Sequence, residues 1–289
     1  MTRSLKARLA LPGLISAPGV FDMVSAKFAD SIGFDALYMT GYGVVASHLG
    51  LPDAGLATYS DMLGRLRQMV GGIETPLIAD GDTGYGGLLN VDFTVRGYEQ
   101  AGAQAIQLED QEFPKKCGHT PGRRVIPLDE AVHKIRVATE ARTSKDFLII
   151  ARTDARTSRG IDEALRRGEA FVRAGADILF IESPEDIDEM ERIGRCFDVP
   201  LVANMVEGGR TPMLSRAELE KLGFKIAIFP TAGLLAMGAA LASVYGELHE
   251  RGSTKEWSGK FYGFDAFSRL MGFERVWDFE RRHVEPGSA

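Results

Sequence analysis

Eight short apolar runs recur along the chain at helix-length intervals, and this alternation constrains the fold more than any other feature of the sequence. The runs are Leu14–Val20, Ala36–Thr40, Pro76–Ala79, Ala105–Leu108, Phe147–Ala151, Ile178–Ile181, Leu201–Met205 and Ile226–Phe229. Amphipathic segments separate them, among them Met23–Ser31, Val91–Ala101, Ile161–Ala174 and Ser215–Leu222. Four junctions share one signature: Ile32-Gly33-Phe34-Asp35-Ala36, Ala101-Gly102-Ala103-Gln104-Ala105, Ala174-Gly175-Ala176-Asp177-Ile178 and Leu222-Gly223-Phe224-Lys225-Ile226. Glycine suits the left-handed position that closes a helix, so each junction reads as a helix handing over to a strand. Strands apolar on both faces belong to a parallel sheet covered by helices. Eight such units in 289 residues predict a closed (β/α)8 TIM barrel, set here over residues 1–240.

Polar residues stand at the strand ends: Thr40-Gly41, Asp80-Gly81-Asp82, Glu109-Asp110, Arg152-Thr153-Asp154, Glu182-Ser183, Asn204 and Pro230-Thr231. The C-terminal ends of barrel strands converge on one mouth, where such enzymes place their chemistry. A formal charge of −6, with no basic stripe, argues against a nucleic-acid surface. Two cysteines are too few for a disulfide framework, and no apolar run is long enough for a membrane span. A soluble, cytoplasmic protein acting on a small molecule is expected.

Three constellations at the mouth carry chemistry. Asp80 and Asp82 leave the third strand two residues apart, so both side chains can face one point. Hard oxygen ligands of this kind suit Mg²⁺, with Mn²⁺ as its substitute, and Glu109 and Asp53 could complete the shell. A glycine-rich turn capped by aspartates, or a phosphate cradle, is the competing reading of Asp80–Gly86. Arg152 ends an apolar strand and suits a carboxylate or a developing oxyanion; a structural pair with Asp154 competes with that role. The segment Lys115-Lys116-Cys117-Gly118-His119 sets a thiol beside two ammonium groups and an imidazole, which favours thiolate. Glu182 and Asn204 hold equivalent positions on strands six and seven, and Tyr42 either packs in the core or lines the pocket. Cys196, at a helix end, reads as a small buried residue.

Taken in order, Asp80-Gly81-Asp82-Thr83-Gly84-Tyr85-Gly86, Glu109-Asp110-Gln111, Lys115-Lys116-Cys117-Gly118-His119 and Ala151-Arg152-Thr153-Asp154-Ala155 resemble the isocitrate lyase / phosphoenolpyruvate mutase superfamily. The resemblance runs from about Pro18 to the tail. It implies a Mg²⁺-dependent barrel that acts on α-oxycarboxylates. It also implies an exchange of the last helix between subunits of dimers and tetramers. By position, Asp80 resembles the direct metal ligand, with Asp53, Asp82 and Glu109 reaching the ion mainly through water. Thr40, Gly41 and Tyr42 match the grip on a keto-acid carboxylate, Arg152 the oxyanion-stabilising arginine, and Cys117 the acid/base thiol of a gating loop. Lys115, Gly118 and His119 accompany that thiol, and Glu182 and Asn204 match pocket residues.

The thiol segment is similar to that of the carbon–carbon lyases of the superfamily. The stretch Asn204-Met205-Val206-Glu207-Gly208-Gly209-Arg210-Thr211-Pro212 resembles the dimethylmalate lyase, oxaloacetate hydrolase and mutase branches more than the methylisocitrate lyases. The expected reaction is cleavage of a substituted 2-hydroxydicarboxylate, such as 2,3-dimethylmalate, to pyruvate and a short carboxylic acid. Methylisocitrate cleavage and oxaloacetate hydrolysis or decarboxylation are the alternatives.

Beyond the eighth strand, Ala232–Glu250 reads as a long helix, Gly252–Lys260 as a break, and the rest as aromatic: Phe261, Tyr262, Phe264, Phe267, Phe273, Trp277 and Phe279. So much aromatic surface outside a complete barrel has to be covered. Either this segment packs back on its own barrel or it is exchanged with a second subunit. With the resemblance, residues 241–289 are expected to form a helical extension at a subunit contact, in a homotetramer built from helix-exchanged dimers.

Overall fold

The computed structural model describes residues 4–118, 120 and 122–283. Eight parallel strands close into a barrel in sequence order, each hydrogen-bonded to the next and β8 to β1. They are β1 (Ile15–Val20), β2 (Leu37–Met39), β3 (Leu77–Asp80), β4 (Ala105–Glu109), β5 (Leu148–Thr153), β6 (Ile178–Ile181), β7 (Leu201–Asn204) and β8 (Ile226–Phe229). The helices are α1 (Leu5–Leu9), α2 (Met23–Ile32), α3 (Gly41–Val44), α4 (Tyr59–Val70), α5 (Leu88–Gln100), α6 (Leu128–Ala141), α7 (Ala155–Arg159), α8 (Ile161–Arg173), α9 (Ile187–Cys196), α10 (Arg216–Lys221), α11 (Ala232–Arg251), α12 (Phe264–Leu270) and α13 (Phe273–His283).

The junction glycines do what their positions predict: Gly33, Gly102, Gly175 and Gly223 have φ of 88°, 93°, 102° and 92°. Each sits where a side chain would be strained. Side-chain hydroxyls and carboxylates close the N-terminal ends of several helices. Asp22 with Ser25, Thr58 with Asp61, and Ser215 with Glu218 form reciprocal caps on α2, α4 and α10. A five-residue π-helix, Val45–Leu49, follows α3 and was not legible in the sequence.

Two apolar clusters divide the strands by the parity of their residues. Ile15, Ala17, Tyr38, Ile78, Ala105, Leu148, Ile150, Ile178, Phe180, Val202, Ile226 and Ile228 fill the barrel interior, with Leu5 of α1 among them. The alternate residues, such as Ile106, Leu108, Ile149, Leu179 and Ala203, pack in the cluster shared with the helices. Period-two alternation continues to the strand ends. The residues in step with the interior set are Thr40, Asp80, Glu109, Arg152, Glu182 and Asn204. The barrel's own packing therefore delivers six predicted site residues to its mouth.

The chain divides into two compact units after Leu234, six residues before the boundary expected from sequence. In the second unit, the Trp257 ring lies tilted against Phe261 and Phe273 against Trp277, with ring centroids 4.6 and 5.9 Å apart. None of the residues in α11, α12 or α13 is buried. Among the described residues no helix is long and apolar enough to cross a membrane. Cys196, expected to be buried, is exposed, because it lies on the last turn of α9 rather than on that helix's packed face.

Candidate active site

Acids gather first. Asp80 is the last residue of β3, and its carboxylate accepts from the backbone N–H of Gly41 (3.3 Å), that of Asp82 (3.1 Å) and Nε2 of Gln107 (3.4 Å). Asp82 takes a left-handed backbone, φ 47°, which turns its side chain back toward the mouth. That is a costly conformation for a residue with a Cβ, and such strain collects at functional sites. Asp53 arrives from the loop after the π-helix. All four acids, Asp53, Asp80, Asp82 and Glu109, are buried.

The ammonium of Lys115 lies between two of them, 2.5 Å from Asp53 Oδ1 and 2.6 Å from Asp82 Oδ1. Burial alone would lower the lysine's pKa, but Asp82, Asp53, Glu109 and Asp80 together hold it well above the usual value. One lysine does not balance so many carboxylates. Burial, reinforced by Asp80 and Asp53, pushes the Asp82 carboxyl up to about 7 despite the pull of Lys115. Burial likewise raises Glu109, whose Oε1 is buried with no hydrogen-bond partner. Among the described residues no three acidic, histidine or cysteine side chains close on one point at metal-ligand distance. The surplus of buried carboxylate charge over the lysine suits a hard divalent cation.

The thiol segment lies over these acids. The backbone N–H of Cys117 donates to the carbonyl of Asp53 at 3.2 Å, and Gln111 brackets Lys116 by bonding both its N–H (3.0 Å) and its carbonyl (2.8 Å). Ser183 Oγ donates to the carbonyl of Gly118 at 3.0 Å. Gly118 passes so close to the mouth that a Cβ there would stand 2.5 Å from Arg152 Nη2 and 2.8 Å from the carboxyl carbon of Glu182. The two ammonium groups expected to flank the thiol are placed otherwise: Lys115 is held by Asp53 and Asp82, and Lys116 Nζ reaches the carbonyl of Gly122 at 3.4 Å. Cys117 is half-buried. His119, expected in the same loop, lies outside the described residues.

Arg152 completes the mouth. It pairs bidentately with Asp154, through Nε to Oδ2 and Nη2 to Oδ1, both at 2.9 Å. Its Nη2 is also 3.2 Å from Glu182 Oε2, its Nε 3.5 Å from Glu109 Oε2, and the guanidinium carbon sits 5.0 Å above the Phe180 ring. Asn204 Nδ2 donates to Glu182 Oε2 at 3.0 Å. The structural pair with Asp154 and the place at the mouth are thus both real for Arg152.

Sequence reasoning passed over the residues that brace this array. Arg167 of α8 is fully buried and donates to Asp110 (2.9 Å) and to the carbonyl of Ile126 (2.9 Å). Asp110 in turn accepts from Thr153 Oγ1 (2.7 Å) and the N–H of Asp154 (2.9 Å), which fixes the turn after β5. Lys134 Nζ donates to the carbonyl of Glu109 at 3.0 Å. Nothing in Arg166-Arg167 or Gly122-Arg123-Arg124 distinguishes a buried arginine from a solvated one.

One cavity of ≈ 50 Å³ is lined jointly by Tyr38, Thr40, Tyr42, Asp53, Asp80, Glu109, Lys115, Cys117, Gly118, Arg152 and Asn204. Gly41 borders it through Asp80, Asp82 through Lys115, and Glu182 through Arg152. Chemically it is a small, charged pocket with a cysteine in its lining: a place for a compact anion next to a cation.

Comparison with known proteins agrees with that geometry. The family model described as phosphoenolpyruvate phosphomutase matches residues 5–249. A 2,3-dimethylmalate lyase of Eubacterium barkeri is 48% identical over 280 residues, covering 97% of each chain. A 2-methylisocitrate lyase of Aeropyrum pernix is 40% identical over 272 residues, covering 94% of this chain and 86% of its own. Among solved structures, an oxaloacetate acetylhydrolase in complex with the inhibitor 3,3-difluorooxalacetate superposes with a TM-score of 0.93 at 33% identity, covering 99% of this chain and 98% of that one.

Proposed function

The chain belongs to the phosphoenolpyruvate mutase / isocitrate lyase superfamily, and on that premise we propose that its cavity cleaves a carbon–carbon bond of a substituted 2-hydroxydicarboxylate, of the 2,3-dimethylmalate type, to pyruvate and a short carboxylic acid. The observation that carries the reading is the single cavity lined by the acid cluster, Arg152 and Cys117. Arg152 and a cation held by the acids would meet the charge of a dicarboxylate, and Cys117 lines the same cavity as a proton source for its reacting carbon.

Asp80 would hold Mg²⁺ directly, with Asp53, Asp82 and Glu109 around it; when bound, the ion polarises the substrate's 2-oxygen and adjoining carboxylate. The chain's own residues do the rest. Thr40, Gly41 and Tyr42 grip the carboxylate of the keto-acid half, and Asn204, oriented by Glu182, borders the other half. A base takes the hydroxyl proton, C2 becomes a carbonyl, and the C2–C3 pair of electrons moves onto C3 and its carboxylate. Arg152 places fixed positive charge beside the oxygens where negative charge accumulates. The Cys117 thiol then gives its proton to C3, which releases the short acid.

The helical extension is proposed as a subunit contact in a homo-oligomer, because its aromatic helices bury none of their residues within the chain.

Incubation with Mg²⁺ and a panel of malate, alkylmalates, methylisocitrate and oxaloacetate tests the function, with the keto acid and partner acid identified. Pyruvate from 2,3-dimethylmalate is the expected outcome. Turnover of oxaloacetate alone, to acetate and oxalate or to CO₂, would replace this reading with hydrolysis or decarboxylation.

A further inference from the structure

Asp154 is shared by two guanidinium groups, and the chemistry above uses one of them. Its Oδ1 accepts from Arg123 Nη1 at 2.6 Å as well as from Arg152 Nη2 at 2.9 Å. Arg123 also donates to Thr157 Oγ1 at 2.6 Å, and its side chain, like that of Asp154, is fully enclosed. Arg123 stands six residues after Cys117, on the strand of chain that leaves the thiol segment.

A bidentate pair with Asp154 alone would neutralise Arg152 and direct its charge away from the cavity. Arg123 draws on the same carboxylate oxygen, so Asp154 is divided between two cations and offsets less of the charge of Arg152, which also faces Glu182 and Glu109. Burying a second guanidinium beside the first is expensive, and it is offset here by the shared carboxylate of Asp154 and by Thr157. The Ser183 hydroxyl joins the two halves of the arrangement: it donates to the carbonyl of Gly118 at 3.0 Å and lies 3.5 Å from Arg123 Nη2.

We propose that Arg123 is a positioning residue for the cleavage, acting through Asp154 to set the charge and orientation of Arg152 while the Cys117 segment is seated. This rests on the lyase reading of the cavity, so the test includes a probe that needs no turnover.

The variants are Arg123→Gln and Arg123→Lys, in a Cys196→Ser background so that Cys117 is the only thiol. The readouts are kcat and KM with the cleaved substrate, oxalate affinity in Mg²⁺ by calorimetry, the rate of thiol alkylation with and without oxalate, and Tm. Loss of a direct oxyanion donor costs about 10²–10³ in kcat, so an indirect partner is expected to cost about 10–100-fold, with KM moving by less than about threefold. Oxalate should bind about tenfold more weakly to Arg123→Gln and protect the thiol less, and Arg123→Lys should recover part of both. Wild-type kcat and oxalate affinity in Arg123→Gln would overturn the proposal, as would losses that follow Tm and are not eased by lysine. If the wild type cleaves none of the hydroxydicarboxylates, the lyase reading fails, and the oxalate and alkylation arms still decide the role of Arg123. If Arg123→Gln does not fold, Thr157→Val removes one partner of Arg123 and leaves Asp154 paired. It should shift oxalate affinity and kcat in the same direction by a smaller factor, and no shift in either would overturn the proposal.

Discussion

Cys117 and Asp80 bear the two halves of the proposed chemistry, and each has a separable test. The Cys117 backbone is bonded to Asp53, and its neighbour Gly118 to Ser183, so the backbone that carries the thiol is anchored at the mouth. Serine keeps the size but titrates far from neutrality, and general acid–base catalysis contributes about 10²–10⁴-fold. Cys117→Ser is therefore expected to lower kcat by about that factor while oxalate binds nearly as before; near-normal turnover would demote the thiol to a loop residue. Asp80→Ala should abolish activity and Mg²⁺-dependent oxalate binding together, measured by calorimetry. Survival of either at ordinary Mg²⁺ concentrations would place the metal elsewhere. Asp80, Asp82, Glu109, Cys117 and Arg152 were all legible as strand-end or loop residues of unusual type. The partners that hold them were not. A lysine beside a cysteine reads as its activator, yet three-dimensional closure puts the Lys115 ammonium among the acids instead.

At the scale of the element, strands dictate more than their length suggests. Once the interior parity of β3 to β7 is known, the residues reaching the mouth follow by counting in twos, and that much was readable from eight apolar runs and their polar ends. Helices contribute what counting does not reveal. Arg167 of α8 pins the turn after β5 through Asp110, and it also pairs with Glu163 on its own helix. Removing one partner of such a buried pair typically costs about 3–5 kcal/mol. Arg167→Ala should lose about that much stability in urea unfolding, and a loss below about 1 kcal/mol would mean that Asp110 finds another partner. From sequence, Arg166 and Arg167 are indistinguishable; only the helix's rotation against β5 and β6 makes one a surface residue and the other fully buried.

For the molecule as a whole, the first compact unit contains every described residue of the proposed chemistry, and the second contains aromatic helices without a core. Phe261, Tyr262, Phe264 and Phe279 are each more than half exposed in the single chain. A second copy is the proposed cover. Ending the chain at Arg251 removes α12 and α13 and should yield a smaller species by sedimentation; a monomeric full-length protein would remove the basis of the proposed contact. The central claim, that the cavity cleaves a carbon–carbon bond and Cys117 protonates the carbon released, is tested most directly by running the reaction on 2,3-dimethylmalate in D₂O. A thiol fixed on one face of the cavity predicts one deuterium at the α-carbon of the released propionate, in a single configuration. Propionate labelled equally in both configurations by the wild-type protein would show that the proton comes from free solvent and contradict the claim.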